Sequence, residues 1–369
     1  MDYGVFLPVA NNGWITSETA PQYMPTFELN KEICERAEAG GFDFALGMVK
    51  LRGYGGRTEH WDYAADSFAL LAGLAAATSR LRLYATVATL TMHPAVTARM
   101  AVTINDISGG RFGVNVVSGW NKLEYSQMGL WPGDDYYQGR YDYTTEYVEV
   151  MKELWEKGEV THTGEHFTLE SCFCKPTPEH PIPLVFAGQS ARGMELAARH
   201  GDYTFMIGGS VEEVGTLCDR LRQATTATGR EVGAYALYGI IAAPTDEEAR
   251  ATAEHYLAGT DHEALANQMA TADGDKGGTI GTVLGSEREM LPSVDFLDDV
   301  TPAIVQGACF GSPQLVGSYD RVAGFMGRLE DELGLAGVIL TFADFPAGVT
   351  DFSEQVLPRV RARRTAEVG

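Results

Sequence analysis

Polar and aromatic side chains follow several short apolar runs of this sequence, and they are residue types that could bind or activate a small molecule. The runs end near Pro8, Gly47, Ala85 and Val117. The candidates after them are Asn11, Asn12, Gly13 and Trp14, then Met48, Val49, Lys50, Leu51 and Arg52, then Thr86, and last Asn115, Ser118, Gly119 and Trp120. Amide, hydroxyl and ammonium groups can stabilise developing negative charge, and aromatic rings can form a pocket wall.

Each of these candidates also has a purely structural interpretation. Asn11 and Asn12 precede a glycine and could form only a turn, because Asn and Gly tolerate left-handed backbone angles. Lys50 could be solvated or could supply a positive group near an anionic cofactor. Thr86 and Asn115 could be buried and simply bonded to the backbone.

Two further segments could hold an anion such as a phosphate. Gly188, Gln189 and Ser190 follow an apolar run and open a predicted helix at Ala191, where backbone donors favour negative charge. An ordinary serine N-cap is the alternative. Arg140 and Tyr141 begin another predicted helix and form a second phosphate-compatible pair, although a helical arginine is often merely solvated. No G-x-G-x-x-G or Walker motif occurs.

Protein-derived catalytic machinery is not evident in the sequence. No H-E-x-x-H motif, serine-hydrolase elbow or tight carboxylate cluster occurs. The five cysteines are Cys34, Cys172, Cys174, Cys218 and Cys309, and they have neither metal-ligand spacing nor an even count. No metal site or disulfide framework is expected, and the pattern is consistent with a cofactor that brings its own reactivity.

The order of elements that must position these groups is an alternation of strands and helices. Predicted strands cover residues 3–8, 42–47, 81–85, 112–117, 183–187, 203–207, 234–242 and 337–342. Predicted helices cover residues 26–40, 63–78, 94–108, 140–157, 191–200, 211–228, 246–258 and 313–333, with a small polar segment at 160–175. Eight repeats with apolar strands predict a single α/β domain over residues 1–369, a (β/α)8 TIM barrel with insertions, and a doubly wound open sheet is the alternative. Residues 259–312 are predicted to be an insertion that forms either a lid or an oligomer contact.

Composition restricts the partners. The formal net charge of −22 would repel a nucleic-acid backbone, so nucleic acid is not expected as a partner. The N-terminus has no basic, apolar leader, and no run of eighteen apolar residues occurs, so neither export nor membrane insertion is expected. We therefore expect a cytoplasmic enzyme.

Five segments carry a resemblance to a known family. They are N-N-G-W at 11–14, A-P-Q-Y-M-P-T-F-E-L-N at 20–30, K-L-R-G-Y-G-G at 50–56, I-S-G-G-R-F-G-V-N at 107–115 and M-G-L-W-P-G-D-D-Y at 128–136. They resemble the bacterial-luciferase-like flavin monooxygenases, and within that family the pyrimidine monooxygenases of uracil degradation. The resemblance is dense from residue 3 to about residue 210 and weakest over 210–312.

The resemblance implies a set of site residues. The implied FMN contacts are Val49, Lys50, Asn115, Glu124, Arg140, Tyr141 and Ser190. The implied pocket for oxygen and substrate contains Leu46, Thr86, Asn115 and Trp120. Thr86, Asn115 and Lys50 are the implied catalytic residues, with roles in positioning and polarisation.

The resemblance also implies an activity. Reduced FMN would come from a separate NADH-dependent flavin reductase, and a flavin peroxide, described for this group as an N5 adduct, would cleave the ring amide of uracil or thymine. The product would be of the ureidoacrylate type, and the enzyme would be a dimer or tetramer. The alternatives are oxidation of another nitrogen heterocycle, amide or carbon–heteroatom bond, a deazaflavin-dependent dehydrogenase, and a non-catalytic flavin-binding protein.

Overall fold

A closed parallel barrel forms the centre of the molecule in the computed structural model, which describes residues 1–273, 303–305 and 313–367. Its strands are β1 (Asp2–Leu7), β2 (Phe44–Gly47), β3 (Arg82–Ala88), β4 (Phe112–Val117), β7 (Leu184–Ala187), β8 (Tyr203–Ile207), β9 (Gly233–Ala243) and β12 (Gly337–Phe342). Each strand pairs in parallel with the next, and β12 closes the ring by pairing with β1. The predicted (β/α)8 barrel is therefore confirmed, and the open sheet is wrong.

Helices alternate with the strands of the barrel along the chain. They are α1 (Phe27–Gly40), α2 (Ser67–Ala77), α3 (Pro94–Ser108), α4 (Lys122–Ser126), α5 (Tyr136–Lys157), α6 (Ala191–His200), α7 (Val211–Thr228), α8 (Asp246–Ala258), α9 (His262–Asp273), α10 (Tyr319–Leu333) and α11 (Phe345–Asp351). A π-helical turn (Phe352–Val356) and α12 (Leu357–Glu367) follow. Helix starts were predictable where a side chain caps the first turn, as Thr26 and Ser210 do.

The interior of the barrel near its amino end is packed by aromatic rings that lie opposite glycines. The register pairs are Gly4 with Phe44, Tyr84 with Gly113, Tyr203 with Gly233, and Tyr235 with Gly337. The Phe44 and Tyr235 rings stack across the barrel at 4.6 Å. A Cβ atom at Gly4 would lie 2.2 Å from the Phe44 ring, so the glycines supply the space that the rings fill. This end is a closed core, which leaves the carboxyl ends of the strands for a site.

Strand β9 is longer than its neighbours and carries extra strands outside the barrel. Its second half pairs in parallel with β11 (Gln314–Ser318), which in turn pairs in antiparallel fashion with β10 (Ala303–Val305). The prediction of one helix over 313–333 was therefore wrong at its start, because residues 314–318 form β11 and the helix begins at Tyr319. The apolar residues Leu315 and Val316 fit either element by periodicity, and pairing with β9 decides the outcome.

Two segments outside the regular repeat also have structure. The polar segment 160–175 forms most of an antiparallel hairpin, whose strands are β5 (Glu159–Thr163) and β6 (Thr168–Phe173). Of the predicted insertion 259–312, the structure describes residues 259–273, which include α9, and residues 303–305, which form β10, and the remainder lies outside the described residues. Its assignment as a lid or an oligomer contact, like the single-domain assignment, stays a prediction.

Within residues 1–273, 303–305 and 313–367, no helix is both long and apolar enough to cross a membrane.

Candidate active site

A cavity of about 280 Å³ opens at the carboxyl ends of the barrel strands. Strands β1 to β4 and β7 to β9, or the loops directly after them, contribute side chains to its lining. These residues include Phe6, Trp14, Met48, Val49, Lys50, Tyr54, Trp61, Thr86, Asn115, Trp120, Glu124, Arg140, Tyr141, Gly188, Gln189, Phe205 and Leu237. Active sites of (β/α)8 barrels lie at this face.

Thr86 and Asn115 form one hydrogen-bonded unit between β3 and β4. The two residues are register partners on neighbouring strands. The Thr86 hydroxyl donates to the carbonyl oxygen of Gly47 at 2.6 Å, so its lone pair accepts the Asn115 Nδ2–H at 2.9 Å. This arrangement fixes the amide with its Oδ1 buried, and that atom has no hydrogen-bond partner within the described part of the chain. An orphaned acceptor at the lining of a cavity is suited to a ligand N–H.

A buried ion pair also lines the cavity. Lys50 Nζ is 2.5 Å from Glu124 Oε1 and donates to the Tyr54 hydroxyl at 3.0 Å. Asn121 Nδ2 donates to the same carboxylate oxygen at 3.2 Å. Burial by itself would lower the pKa of Lys50, but Tyr54 and Glu124 outweigh it and raise the pKa above the ordinary value. Lys50 is therefore charged and paired, and its interpretation as a solvated lysine was wrong.

The turn before α6 has the form of an anion cradle. Ser190 caps α6, and its Oγ accepts the Gly193 N–H at 3.1 Å and lies 2.9 Å from the Tyr141 hydroxyl oxygen. A Cβ atom at Gly188 would approach Gly193 Cα to 3.3 Å, so the turn and the helix backbone pack closely because both residues are glycines. Buried Arg140 places a positive charge beside the Tyr141 ring, 5.2 Å from its centroid. The two phosphate candidates of the sequence thus lie at one place.

Aromatic rings form much of the remaining wall, and several of them have no local sequence pattern that predicts a role at the site. Trp61 has φ 62°, which is rare for a bulky side chain. Its indole Nε1 donates to Gly13 O at 2.5 Å, and its ring lies 5.0 Å from the Trp14 ring, edge to face. His60 stacks on Trp61 at 5.0 Å, and burial together with the Lys50 charge lowers the pKa of His60 to about 3. Trp61 and Tyr54 follow no apolar run, so only the folded loop reveals them.

Most of the predicted site residues meet at this cavity. Leu46 and Ser190 differ. Within the described residues neither belongs to the lining: Leu46 is fully buried in β2, and Ser190 directly follows the lining residues Gly188 and Gln189. Asn11 and Asn12 brace the loop after β2, donating to Glu59 O at 2.9 Å and Thr58 O at 2.7 Å. Their interpretation as a turn fits this role, since Asn12 has φ 63°.

No cluster of three or more His, Cys, Asp or Glu side chains suited to a metal ion occurs in the described ranges.

The fold and the cavity define a class, that of (β/α)8-barrel proteins that bind a small molecule at the carboxyl ends of the strands. A family model described as luciferase-like monooxygenase matches residues 1–332. The chain belongs to the luciferase-like monooxygenase family, and it is an enzyme of that family.

Curated relatives match almost the whole chain. The chain is 49% identical over 366 residues to "Pyrimidine monooxygenase RutA" of Klebsiella pneumoniae, a match that covers 98% of this chain and 97% of the relative. It is 48% identical over 366 residues to the protein of the same name from Escherichia coli O127:H6, with the same coverage.

Solved structures of lower identity share the fold. Long-chain alkane monooxygenase LadA has a TM-score of 0.79 at 22% identity, covering 98% of this chain and 91% of that one. EDTA monooxygenase EmoA from Chelativorans sp. BNC1 has a TM-score of 0.79 at 20% identity, covering 98% and 94%. Riboflavin lyase RcaE, solved with a modified FMN and riboflavin, has a TM-score of 0.76 at 22% identity, covering 98% and 92%.

Proposed function

We propose that this enzyme uses reduced FMN and dioxygen to oxidise and cleave the ring amide of a pyrimidine such as uracil or thymine. The observation that carries the proposal is the 49% identity, over 98% of the chain, to a relative named for pyrimidine oxidation. The cavity supports it, because aromatic walls and a few buried polar groups suit a small planar heterocycle.

The residues of the cavity fit FMN at both of its ends. The glycine-built turn at Gly188 and Gly193, with Ser190, Tyr141 and buried Arg140 beside it, suits the phosphate. The orphaned Oδ1 of Asn115 offers an acceptor to an N–H of the isoalloxazine ring or of the substrate.

The remaining FMN contacts would come from Val49, Lys50 and Glu124, which also line the cavity. Lys50 and Glu124 form an ion pair at 2.5 Å, so together they add little net charge to the cavity. Their remaining hydrogen-bonding groups would be available to the polar ring of the flavin. When bound, reduced FMN would supply the two electrons and two protons that bring dioxygen to the peroxide level.

The residues of the chain would then orient the reactants. Thr86 directs its hydroxyl hydrogen to Gly47, so we assign it to holding Asn115 in one orientation. The Asn115 amide keeps a second N–H, which would stabilise negative charge as it grows on oxygen. Thr86 and Trp120 would bound the space for oxygen and substrate, and Leu46 would support it from behind.

The chemistry of the proposed reaction balances. The amide C–N bond of the ring breaks and the carbonyl carbon gains both atoms of dioxygen. Of the two hydrogens that reduced FMN gives up, one ends on the released nitrogen and the other on the peracid. Uracil, dioxygen and reduced FMN would give a ureidoacrylate peracid and oxidised FMN. We propose that a separate NADH-dependent flavin reductase returns FMN to its reduced form.

The test is to incubate the enzyme with FMN, a flavin reductase, NADH and uracil or thymine under ¹⁸O₂, and to follow substrate loss and product mass. We expect a ring-opened product that carries labelled oxygen, and no product when dioxygen is left out. The Klebsiella pneumoniae relative serves as the matched positive control.

The substrate assignment would be overturned if this enzyme consumed neither uracil nor thymine under conditions in which that relative consumes them. Hydride transfer without oxygen uptake would instead indicate a dehydrogenase. The predicted dimer or tetramer is tested separately, by sedimentation of the purified protein.

A further inference from the structure

The loop from Met48 to Asp66, here called the wall loop, supplies Lys50, Tyr54 and Trp61 to the cavity. Its backbone is unusual, because Gly55, Gly56, Glu59 and Trp61 all have positive φ. A left-handed conformation at a bulky residue costs roughly 1–2 kcal/mol. Such a loop keeps one shape only where the surrounding structure holds it.

Helix α9 and its capping residue contact the wall loop directly at two points and reach it through Thr16 at a third. Asp261, which caps α9, accepts the Thr58 N–H at 2.8 Å and the Thr58 hydroxyl at 2.9 Å. Asn267 Nδ2 donates to the carbonyl oxygen of Tyr54 at 2.8 Å. Fully buried Gln268 donates to Thr16 Oγ1 at 2.9 Å.

The third contact reaches the cavity through a chain of side chains. Thr16 Oγ1 lies 3.3 Å from His60 Nε2, and the His60 ring stacks on the Trp61 ring, which lines the cavity. The loop and the helix also pack without space between them, since a Cβ atom at Gly56 would lie 2.7 Å from Ala264 Cβ. A polar side chain of α9 is therefore linked to the aromatic wall by a continuous set of contacts.

We propose that Asp261, Asn267 and Gln268 are positioning residues, which hold Tyr54 and Trp61 in the places that define the substrate pocket. None of the three lies in the lining of the cavity that the described residues form. Because they contact the residues behind that lining, changes in α9 would alter substrate preference without altering the residues at the cavity. The consequence for substrate binding rests on the proposed function, whereas the contact itself does not.

The first measurement is amide hydrogen exchange over residues 50–62, followed by mass spectrometry on the purified full-length enzyme. Asn267→Ala removes the donor to Tyr54 at an exposed helix position, so the protein should fold. Thr58→Val removes the hydroxyl contact with Asp261, and Thr58→Ser restores it. We expect exchange about threefold to tenfold faster in Asn267→Ala and Thr58→Val, because one hydrogen bond is lost in each.

Two controls set the scale. Thr58→Ser should match the wild type, and so should Met269→Ala, which changes a neighbouring side chain of α9 that is 47% exposed. Unchanged exchange over 50–62 in both Asn267→Ala and Thr58→Val would overturn the proposal, whatever the effect on activity.

The second measurement separates positioning from a general loss of stability. We expect the KM for the pyrimidine to rise about fivefold in Asn267→Ala and Thr58→Val with kcat within twofold of the wild type, and Thr58→Ser to recover the wild-type KM. A fall in kcat at unchanged KM would contradict the assignment. If the wild type itself oxidises no pyrimidine, the proposed function fails, and the exchange rates alone decide on the positioning role.

Discussion

At the scale of single residues, the hydrogen bond from Thr86 to Gly47 decides what Asn115 can offer a ligand. A threonine hydroxyl has one hydrogen, and here Gly47 O receives it at 2.6 Å. The Asn115 amide must then present its N–H to Thr86, and its oxygen remains buried and unsatisfied within the described residues. Burying such an acceptor costs on the order of 1–3 kcal/mol, which a bound ligand would recover.

We predict that Asn115→Ala abolishes pyrimidine oxygenation and leaves a folded protein. Thr86 keeps Gly47 as its partner in the variant, so no buried donor is orphaned and the barrel should survive. The expected loss in kcat/KM is on the order of 100-fold, as for removal of one donor to a developing oxyanion. Steady-state kinetics measures the loss, and circular dichroism with thermal unfolding checks the fold.

Thr86→Ser is the matched control, because it retains the hydroxyl that orients Asn115, and it should keep most of the activity. Full turnover by a folded Asn115→Ala variant would remove Asn115 from the mechanism.

At the scale of elements, helix α8 is joined to the strand β11 beside β9 and to helix α10 by contacts of one carboxylate. Arg321 of α10 forms a bidentate contact with Asp246 in the first turn of α8, at 2.6 Å and 3.1 Å. The Ser318 N–H at the end of β11 donates to the same carboxylate at 2.7 Å. One carboxylate therefore joins α8, β11 and α10 outside the barrel.

This contact predicts a pH dependence. The Arg321 hydrogen bond, with the Ser318 N–H, lowers the pKa of Asp246 to about 2, although burial opposes the shift. A depressed folded-state pKa adds stability that is present above the unfolded pKa of about 3.9 and is lost as pH falls through the folded value. The Asp246 side chain is 33% exposed, so after discounting for solvent screening we expect about 1 kcal/mol.

The measurement is the free energy of unfolding of the wild type and Asp246→Asn at pH 5 and near pH 2. We expect the wild type to be more stable by about 1 kcal/mol at pH 5 and the difference to vanish near pH 2. A difference that stays constant over this range would show that the ionised carboxylate is not what stabilises the junction.

At the scale of the whole molecule, the barrel depends on the match between aromatic rings and glycines near its amino end. We predict that Gly4→Ala destabilises the enzyme by about 2 kcal/mol, the usual cost of overpacking a filled core. The new methyl group would lie 2.2 Å from the Phe44 ring, and that ring is itself stacked on Tyr235. Chemical unfolding followed by circular dichroism measures the change.

Gly139→Ala is the matched control. Gly139 lies in α5, and a Cβ atom there would meet no atom within 4 Å. Alanine is favoured over glycine in a helix, so this variant should be equal to or more stable than the wild type, by up to about 1 kcal/mol. Gly4→Ala with wild-type stability would mean that the ring and glycine pairs are not tightly packed.

The sequence by itself determined the repeat, the order of the elements and the list of polar groups at the strand ends. Apolar runs and capped helices depend on local chemistry, so the bounds of α3, α6, α7 and β12 were predicted as observed. The resemblance added Glu124, whose type and position alone gave no reason to choose it. The tertiary structure alone decided closure of the sheet, the strand β11 and the partners of each polar group. It also revealed Tyr54, Trp61 and the contacts from α9, because these depend on pairs such as Asn267 and Tyr54, more than 200 residues apart in the chain, that no local pattern brings together.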